Sequence, residues 1–130
     1  MEMIFVGNGE EPEPEPPVVE EGIYTISTAH DGDTVIDIPK SSVGNGVKPI
    51  IYQSGTSWNQ KFYIRPEENG TYIIMSANSG KVLEVSGGIY TEGKSIVQSE
   101  YTGFENQQWR FISGPEGSCA IECMKQEIVL

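Results

Sequence analysis

The chain has 130 residues, of which 37% are hydrophobic, and this length and composition predict one domain with a modest single core. Eight lysines and arginines against nineteen aspartates and glutamates give a formal net charge of −11, which repels phosphate backbones and anionic lipid headgroups. We therefore expect no nucleic-acid partner, and no membrane insertion either, because no run approaches the roughly 20 apolar residues of a membrane span.

The composition of the first 21 residues predicts two different segments. Residues 1–9 hold a short apolar run of strand-like composition, and they lack the basic and long apolar regions of a signal peptide. Residues 10–21 alternate proline and glutamate, which favours an extended, self-repelling linker. A structured domain is predicted over residues 22–130.

From Gly22 the chain is predicted to form short strands separated by turn residues, in a pattern that occurs twice. The first copy has predicted strands at 22–26, 35–38, 49–52 and 62–64, and the second at 70–74, 82–85, 95–98 and 109–112. Gly46 and Gly93 are 47 positions apart, as are Gln60 and Gln107. Sustained 3.6-residue periodicity is missing, so helix is not expected.

A third copy begins at residues 117–121, and its second strand is predicted at 127–130. We therefore expect an all-β, β-trefoil-like fold with two complete four-strand repeats, 22–69 and 70–116, and the first half of a third, 117–130. Cys119 and Cys123 lie in one predicted strand about 13 Å apart, too far for a mutual disulfide. Two cysteines do not make a metal site, so no metal or cofactor is expected.

Each complete copy ends with the same motif, which has Asn, Gln and an aromatic residue at fixed offsets. The two motifs are Asn59-Gln60-Lys61-Phe62 and Asn106-Gln107-Gln108-Trp109. We expect the glutamines to bond backbone groups of the bend and the aromatic side chains of Phe62 and Trp109 to fill the core of each repeat. The motif is therefore more indicative of fold than of function.

From about Gly22 to Leu130 the sequence resembles the ricin B-chain-like lectins, β-trefoils of three four-strand repeats that each carry a Gln-x-Trp motif. The resemblance is carried by Gly22-x-Tyr24-x-Ile26, Val35-Ile36-Asp37-Ile38, Gly70-x-Tyr72-x-Ile74, Val82-Leu83-Glu84-Val85 and the two motifs above. It implies non-catalytic carbohydrate binding through one shallow pocket per repeat. The implied setting is extracellular or cell-surface, as a module of a larger bacterial protein.

The resemblance also implies which residues touch sugar. In the family pattern an acid in the second strand accepts hydrogen bonds from sugar hydroxyl groups, and an aromatic residue at the end of the third strand stacks on the pyranose. The motif Asn completes the set of polar groups around the sugar. In repeat one these roles fall on Asp37, Tyr52 and Asn59, the best predicted site. Ile50 occupies a position where the family often has glutamine.

Repeat two is a poorer candidate. Its acid is Glu84 and its Asn is Asn106, but Ser99 occupies the platform position, so Tyr101 is the substitute platform. Asp37 and Tyr52 also fit plainer roles, as a turn-satisfying carboxylate and an exposed strand aromatic. The implied partner is a galactose- or glucose-type polysaccharide or glycoconjugate, and the residues do not discriminate between these sugars.

Two other functions compete with sugar binding. A protein-binding or scaffold trefoil with decayed sugar sites is suggested by Ile50, Val97 and Ser99. A glycosidase would need two carboxylates across a cleft, and Asp31, Asp33 and Asp37 could supply them. We do not expect an enzyme, because a small trefoil offers a shallow surface.

An incomplete third repeat would leave exposed strand edges, which favour pairing. Residues 1–6 align with the fourth-strand pattern of residues 107–112, with Phe5 in the place of Phe111. One hypothesis is that this segment fills a vacant strand position. Alternatively it is the tail of a preceding module, or a second chain completes the third repeat in a dimer.

Overall fold

The computed structural model describes residues 2–5, 18–28, 32–86 and 95–123. In chain order the strands are β1 (Glu2–Phe5), β2 (Gly22–Thr28), β3 (Thr34–Asp37), β4 (Ile50–Gln53), β5 (Phe62–Pro66), β6 (Tyr72–Ser76), β7 (Val82–Val85), β8 (Ile96–Ser99), β9 (Trp109–Ser113) and β10 (Cys119–Cys123). Short 3₁₀ turns lie at Pro39–Ser41, Trp58–Gln60, Glu105–Gln107 and Pro115–Gly117. Within these residues no helix is long and apolar enough to cross a bilayer.

The repeat predicted from sequence organises the strands. β2 to β5 form the first repeat, β6 to β9 form the second, and β10 opens the third, which confirms the all-β prediction in the described part of the chain. Strand bounds differ from the predicted ones by one or two residues in most cases. The strand predicted at 127–130 lies outside the described residues, as does Asp31.

The fourth strand of each repeat joins two first strands. β5 pairs antiparallel with both β2 and β6, and β9 pairs antiparallel with both β6 and β10. The motif aromatic residue begins each of these fourth strands: Phe62 lies opposite Tyr24 and Ser76, and Trp109 lies opposite Tyr72 and Cys123. The motif therefore sets the junction between consecutive repeats.

The core is built by alternation along the strands. On β5, Phe62 and Ile64 are buried while their neighbours are partly exposed, and on β9 Trp109 and Phe111 are buried in the same way. The Trp109 indole N–H donates to the Leu83 carbonyl at 3.1 Å. Buried residues of all three repeats belong to one cluster, so the repeats share a single core.

Both cysteines lie on β10 and face this core as free thiols. Burial raises the pKa of the Cys119 thiol, which favours its neutral form. The Cys123 thiol lies 3.7 Å from the Glu105 carbonyl oxygen. These positions are those of small apolar core residues.

β1 lies between β2 and β10, where a fourth strand of the third repeat would stand if it followed β5 and β9. Its direction differs from theirs: β1 runs parallel to both neighbours, with Glu2 opposite Thr25 and Phe5 opposite Cys119. The alignment of residues 1–6 with 107–112 implies antiparallel pairing and is therefore wrong. A parallel pair needs a connection of about a dozen residues, a length that residues 6–21 provide.

Candidate functional site

In repeat one the motif glutamine joins three separate pieces of chain. Gln60 Nε2 donates to the Asp37 carboxylate at 2.8 Å and to the Gln53 carbonyl at 3.0 Å. Gln60 Oε1 accepts the Gly55 backbone N–H at 2.8 Å. One buried side chain thus fixes the end of β4, the loop after it and the acid at the end of β3.

Asn59 holds the same acid from the other side. Its Nδ2 donates to Asp37 Oδ1 at 3.1 Å and to the Ile38 carbonyl at 2.9 Å, which fixes the orientation of the amide. The opposite orientation would bring Asn59 Oδ1 against two acceptors. That oxygen is buried and has no hydrogen-bond partner in the described part of the chain. A buried acceptor without a partner lowers the stability of the fold by about 1–3 kcal/mol and calls for an explanation.

Asp37 is only 5% exposed, and both of its oxygens accept amide hydrogens. An ionised carboxylate has about four acceptor positions, so this network uses roughly half of them. The carboxylate is therefore fixed in direction while it retains acceptor capacity. This arrangement is preorganised for a donor that approaches from outside the network.

A cleft of about 610 Å³ opens beside this network. Asp37, Asn59 and Gln60 lie on its polar side, and Tyr52 and Ile50 come from β4. Tyr52 is 59% exposed, so its ring is accessible. The structure thus brings together the three residues predicted for repeat one, Asp37, Tyr52 and Asn59, and it also places Ile50 where a polar partner was expected.

One wall of the cleft was not predicted from sequence. It is the turn Pro39–Ser41, in which Lys40 and Ser41 adopt left-handed φ angles of 60° and 53°. A signal for it exists in the repeat: 47 positions further on, the equivalent residues are Gly87 and Gly88. Two glycines at equivalent positions indicate that the turn requires positive φ.

Repeat two contains the same glutamine network. Gln107 Nε2 donates to Glu84 at 2.8 Å and to the Glu100 carbonyl at 2.8 Å, and its Oε1 accepts the Thr102 N–H at 2.8 Å. Asn106 is buried and donates to the Val85 carbonyl at 3.0 Å, as Asn59 does to Ile38. The network therefore belongs to the fold, because both repeats build it.

The substitute platform of repeat two contacts another side chain. Tyr101 is half exposed, and the Arg65 guanidinium lies 5.6 Å from its ring centroid in a cation–π contact. A hydrogen bond to Glu67, 3.0 Å away, raises the pKa of Arg65 and favours its cationic form. Arg65 thus covers one face of the ring that a sugar would need. The described residues contain no group of three metal-ligating side chains.

A family model described as a ricin-type beta-trefoil lectin domain-like domain matches residues 58–130, more than half of the chain. The chain belongs to this family. The matched region of the ricin-type domain includes Asn59, Gln60 and the whole of repeat two. Membership supports carbohydrate binding in general.

Similar proteins agree with this assignment. Flavastacin from Elizabethkingia meningoseptica is 36% identical over 98 residues, which make up 74% of this chain and 22% of flavastacin. The designed three-fold symmetric protein ThreeFoil has a TM-score of 0.78 at 26% identity, over 83% of this chain and 76% of ThreeFoil. The Polyporus squamosus lectin, solved with Neu5Aca2-6Galb1-4GlcNAc, has a TM-score of 0.73 at 23% identity, over 88% and 40% of the two chains. The predicted β-trefoil-like fold is confirmed.

Proposed function

We propose that this domain binds carbohydrate without catalysing a reaction, and that its principal site is the repeat-one cleft. The observation that carries the proposal is the exposed Tyr52 ring in the same cleft as the fixed Asp37 carboxylate. A pyranose has polar edges and an apolar face, so it needs an acceptor and an aromatic surface together. A galactose- or glucose-type glycan meets these requirements.

In this proposal the two sides of the cleft have different tasks. The unused acceptor positions of Asp37 take hydroxyl hydrogens from the sugar, and the Tyr52 ring covers its apolar face. Asn59 and Gln60 keep the carboxylate in place, so little ordering is needed when the ligand arrives. Repeat two lacks this pairing of groups, because Arg65 covers Tyr101. We therefore assign the stronger binding to repeat one.

We infer that the domain is a module of a larger extracellular or cell-surface bacterial protein. The Glu/Pro composition of residues 10–21 fits a linker, and the chain is similar to a segment that is 22% of flavastacin. Weak binding at one shallow site becomes useful when several sites act on the same chain. We place the domain boundaries at 1–9, 10–21 and 22–130.

The test of the sugar site is Tyr52→Ala. We expect binding to a galactose- or glucose-type glycan to weaken about tenfold, because the aromatic surface is lost. Tyr52 is exposed, so circular dichroism should show an unchanged fold. Tyr101→Ala is the matched control in repeat two and should keep the affinity. Glycan-array binding and calorimetry measure both, and intact binding in Tyr52→Ala would exclude the repeat-one site.

A protein-binding or scaffold role is the second candidate. It is favoured by three exposed apolar side chains: Ile50, which lines the cleft, and Ile51 and Trp58, which are next to lining residues in the sequence. The same glycan array separates the two functions. If the wild-type domain binds no glycan while it is folded, the scaffold role replaces the sugar-binding role.

We propose a dimer contact at a different place from the predicted dimer that would complete the third repeat: a second copy of this chain binds the outer edge of β4. At the equivalent edge of β8, the Gly46 N–H donates to the Gln98 carbonyl at 2.8 Å and the Gln98 N–H donates to the Val47 carbonyl at 2.9 Å. Ile51 is the repeat-one equivalent of Gln98, but it is 58% exposed, while Gln98 is fully buried. Among the described residues β4 pairs only with β3.

A second copy suits this edge because β4 is uncharged, whereas the chain carries a net charge of −11. Two acidic molecules repel least where neither presents charge. We expect Ile51→Lys to convert the dimer to monomer in sedimentation experiments, because it places like charges on both edges. Ile23→Lys, at another exposed isoleucine, is the control and should leave the dimer intact. A monomeric wild-type chain would contradict the proposal.

A further inference from the structure

In the Pro39–Ser41 wall, two residues with side chains, Lys40 and Ser41, have a backbone conformation that favours glycine. Lys40 and Ser41 are the only non-glycine residues with positive φ in the described part of the chain, whereas repeat two has Gly87 and Gly88 at the equivalent positions. A Cβ is strained at such φ values. The fold of the repeat therefore does not explain the lysine and the serine, and it would be better served by glycine.

Hydrogen bonds hold the strained turn in place. The Ser41 N–H donates to the Ile38 carbonyl at 3.2 Å, and the Ser42 N–H donates to the Pro39 carbonyl at 3.2 Å. The Asn78 side chain, from repeat two, donates to the Ser41 carbonyl at 3.0 Å. Strained residues that their surroundings hold in this way are typical of functional sites. The wall is thus a fixed surface from which the Lys40 side chain extends.

The charge of Lys40 is not used within the described structure. Lys40 is exposed, and neither ion pair found among the described residues includes it. Of the described residues that line the cleft, only Asp37 and Lys40 are charged. The cleft itself is therefore neutral overall, although the chain carries a net charge of −11.

The two charges also differ in availability. Both Asp37 oxygens already accept amide hydrogens, whereas the Lys40 ammonium has three donors and no acceptor among the described residues. An ammonium at the wall of a sugar cleft is suited to an anionic substituent on the sugar. We propose that the repeat-one cleft prefers saccharides that carry a carboxylate, and that Lys40 selects them. This inference rests on the proposed sugar-binding function.

The experiment uses matched ligands that differ at one group. Methyl galactoside and methyl galacturonide differ only in a hydroxymethyl against a carboxylate, as do the corresponding glucoside and glucuronide. We expect the full chain to bind one of the uronides about fivefold more tightly than its neutral counterpart in NMR titrations. Added salt should reduce this preference, because the contact is exposed.

Variants of Lys40 test whether its charge causes the preference for the uronide over the neutral sugar. Lys40→Gln should remove the preference for the uronide, while Lys40→Arg should retain it. Lys40→Gly should also remove it and raise the melting temperature, because glycine accepts the φ angle without strain. Lys48→Gln is the control at an exposed lysine that does not line the cleft, and it should change nothing.

The outcomes separate this inference from the function on which it rests. Equal binding of the neutral and acidic sugars, or a preference that survives both Lys40→Gln and Lys40→Gly, would overturn the role of Lys40 while sugar binding stands. If the wild-type chain binds none of the four ligands, and no glycan on an array, the sugar-binding function fails with it.

Discussion

Trp109→Ala is expected to lower the free energy of unfolding by about 3–5 kcal/mol, the usual cost of truncating a large buried aromatic residue. Trp109 is completely buried, and its ring belongs to the cluster that all three repeats share. The substitution also removes the donor to the Leu83 carbonyl. Domains of this size are typically stable by about 5–15 kcal/mol, so a large part of the stability would be lost. Urea unfolding followed by circular dichroism measures the change.

The repeat supplies its own control for this prediction. Repeat one has Phe62 at the equivalent position, also fully buried, so this core position of the repeat can hold a phenylalanine. We expect Trp109→Phe to cost only about 1–3 kcal/mol, mainly from the carbonyl left without its donor. If Trp109→Ala unfolds at the same urea concentration as the wild type, the motif aromatic residue does not hold the repeats together.

The fold was predictable because two independent signals agree along most of the chain. Alternation of apolar and polar residues marks the strands, and the 47-residue repeat aligns the sequence of each strand in one copy with that of its equivalent in the other. The placement of Phe62 and Trp109 follows from these signals. A strand that the repeat supports twice is hard to misplace, and here the differences are confined to strand ends.

β1 shows the limit of that approach. Alternation has a period of two in both directions, so a short apolar segment aligns with a strand equally well whichever way it runs. Residues 1–6 occur once, and no second copy fixes their direction. That this segment takes a strand position was one of three hypotheses, and β1 does lie between β2 and β10, but its parallel direction was not predicted.

Only part of the candidate site was predictable from the sequence. The family resemblance assigns Asp37, Tyr52 and Asn59 to one candidate site, and the structure brings the three residues to one cleft. The wall at Lys40 and Ser41 was not predicted, because Lys and Ser do not themselves indicate positive φ and the signal lies instead in the glycine pair of repeat two, Gly87 and Gly88. The contact between Arg65 and Tyr101 joins different repeats and has no counterpart in the periodicity.

Asp37→Ala is expected to weaken glycan binding in the repeat-one cleft by about 10- to 100-fold. Hydrogen bonds to a charged group contribute about 1.5–3 kcal/mol, and the carboxylate is the main acceptor that faces the sugar in this proposal. The variant also removes an acceptor from both Asn59 and Gln60. Each amide keeps its second acceptor, a backbone carbonyl, so we expect a stability loss of about 1–3 kcal/mol and a folded domain.

Glu84→Ala is the matched control, because it removes the acid of the same network in repeat two. Gln107 loses one acceptor and keeps the Glu100 carbonyl, so the stability loss should be smaller than in Asp37→Ala. Calorimetric titration at a temperature where both variants are folded should show lost binding only in Asp37→Ala. If both variants lose binding equally, the acid acts through the stability of the fold. If neither does, the sugar does not contact Asp37, and its carboxylate serves only to hold the two amides.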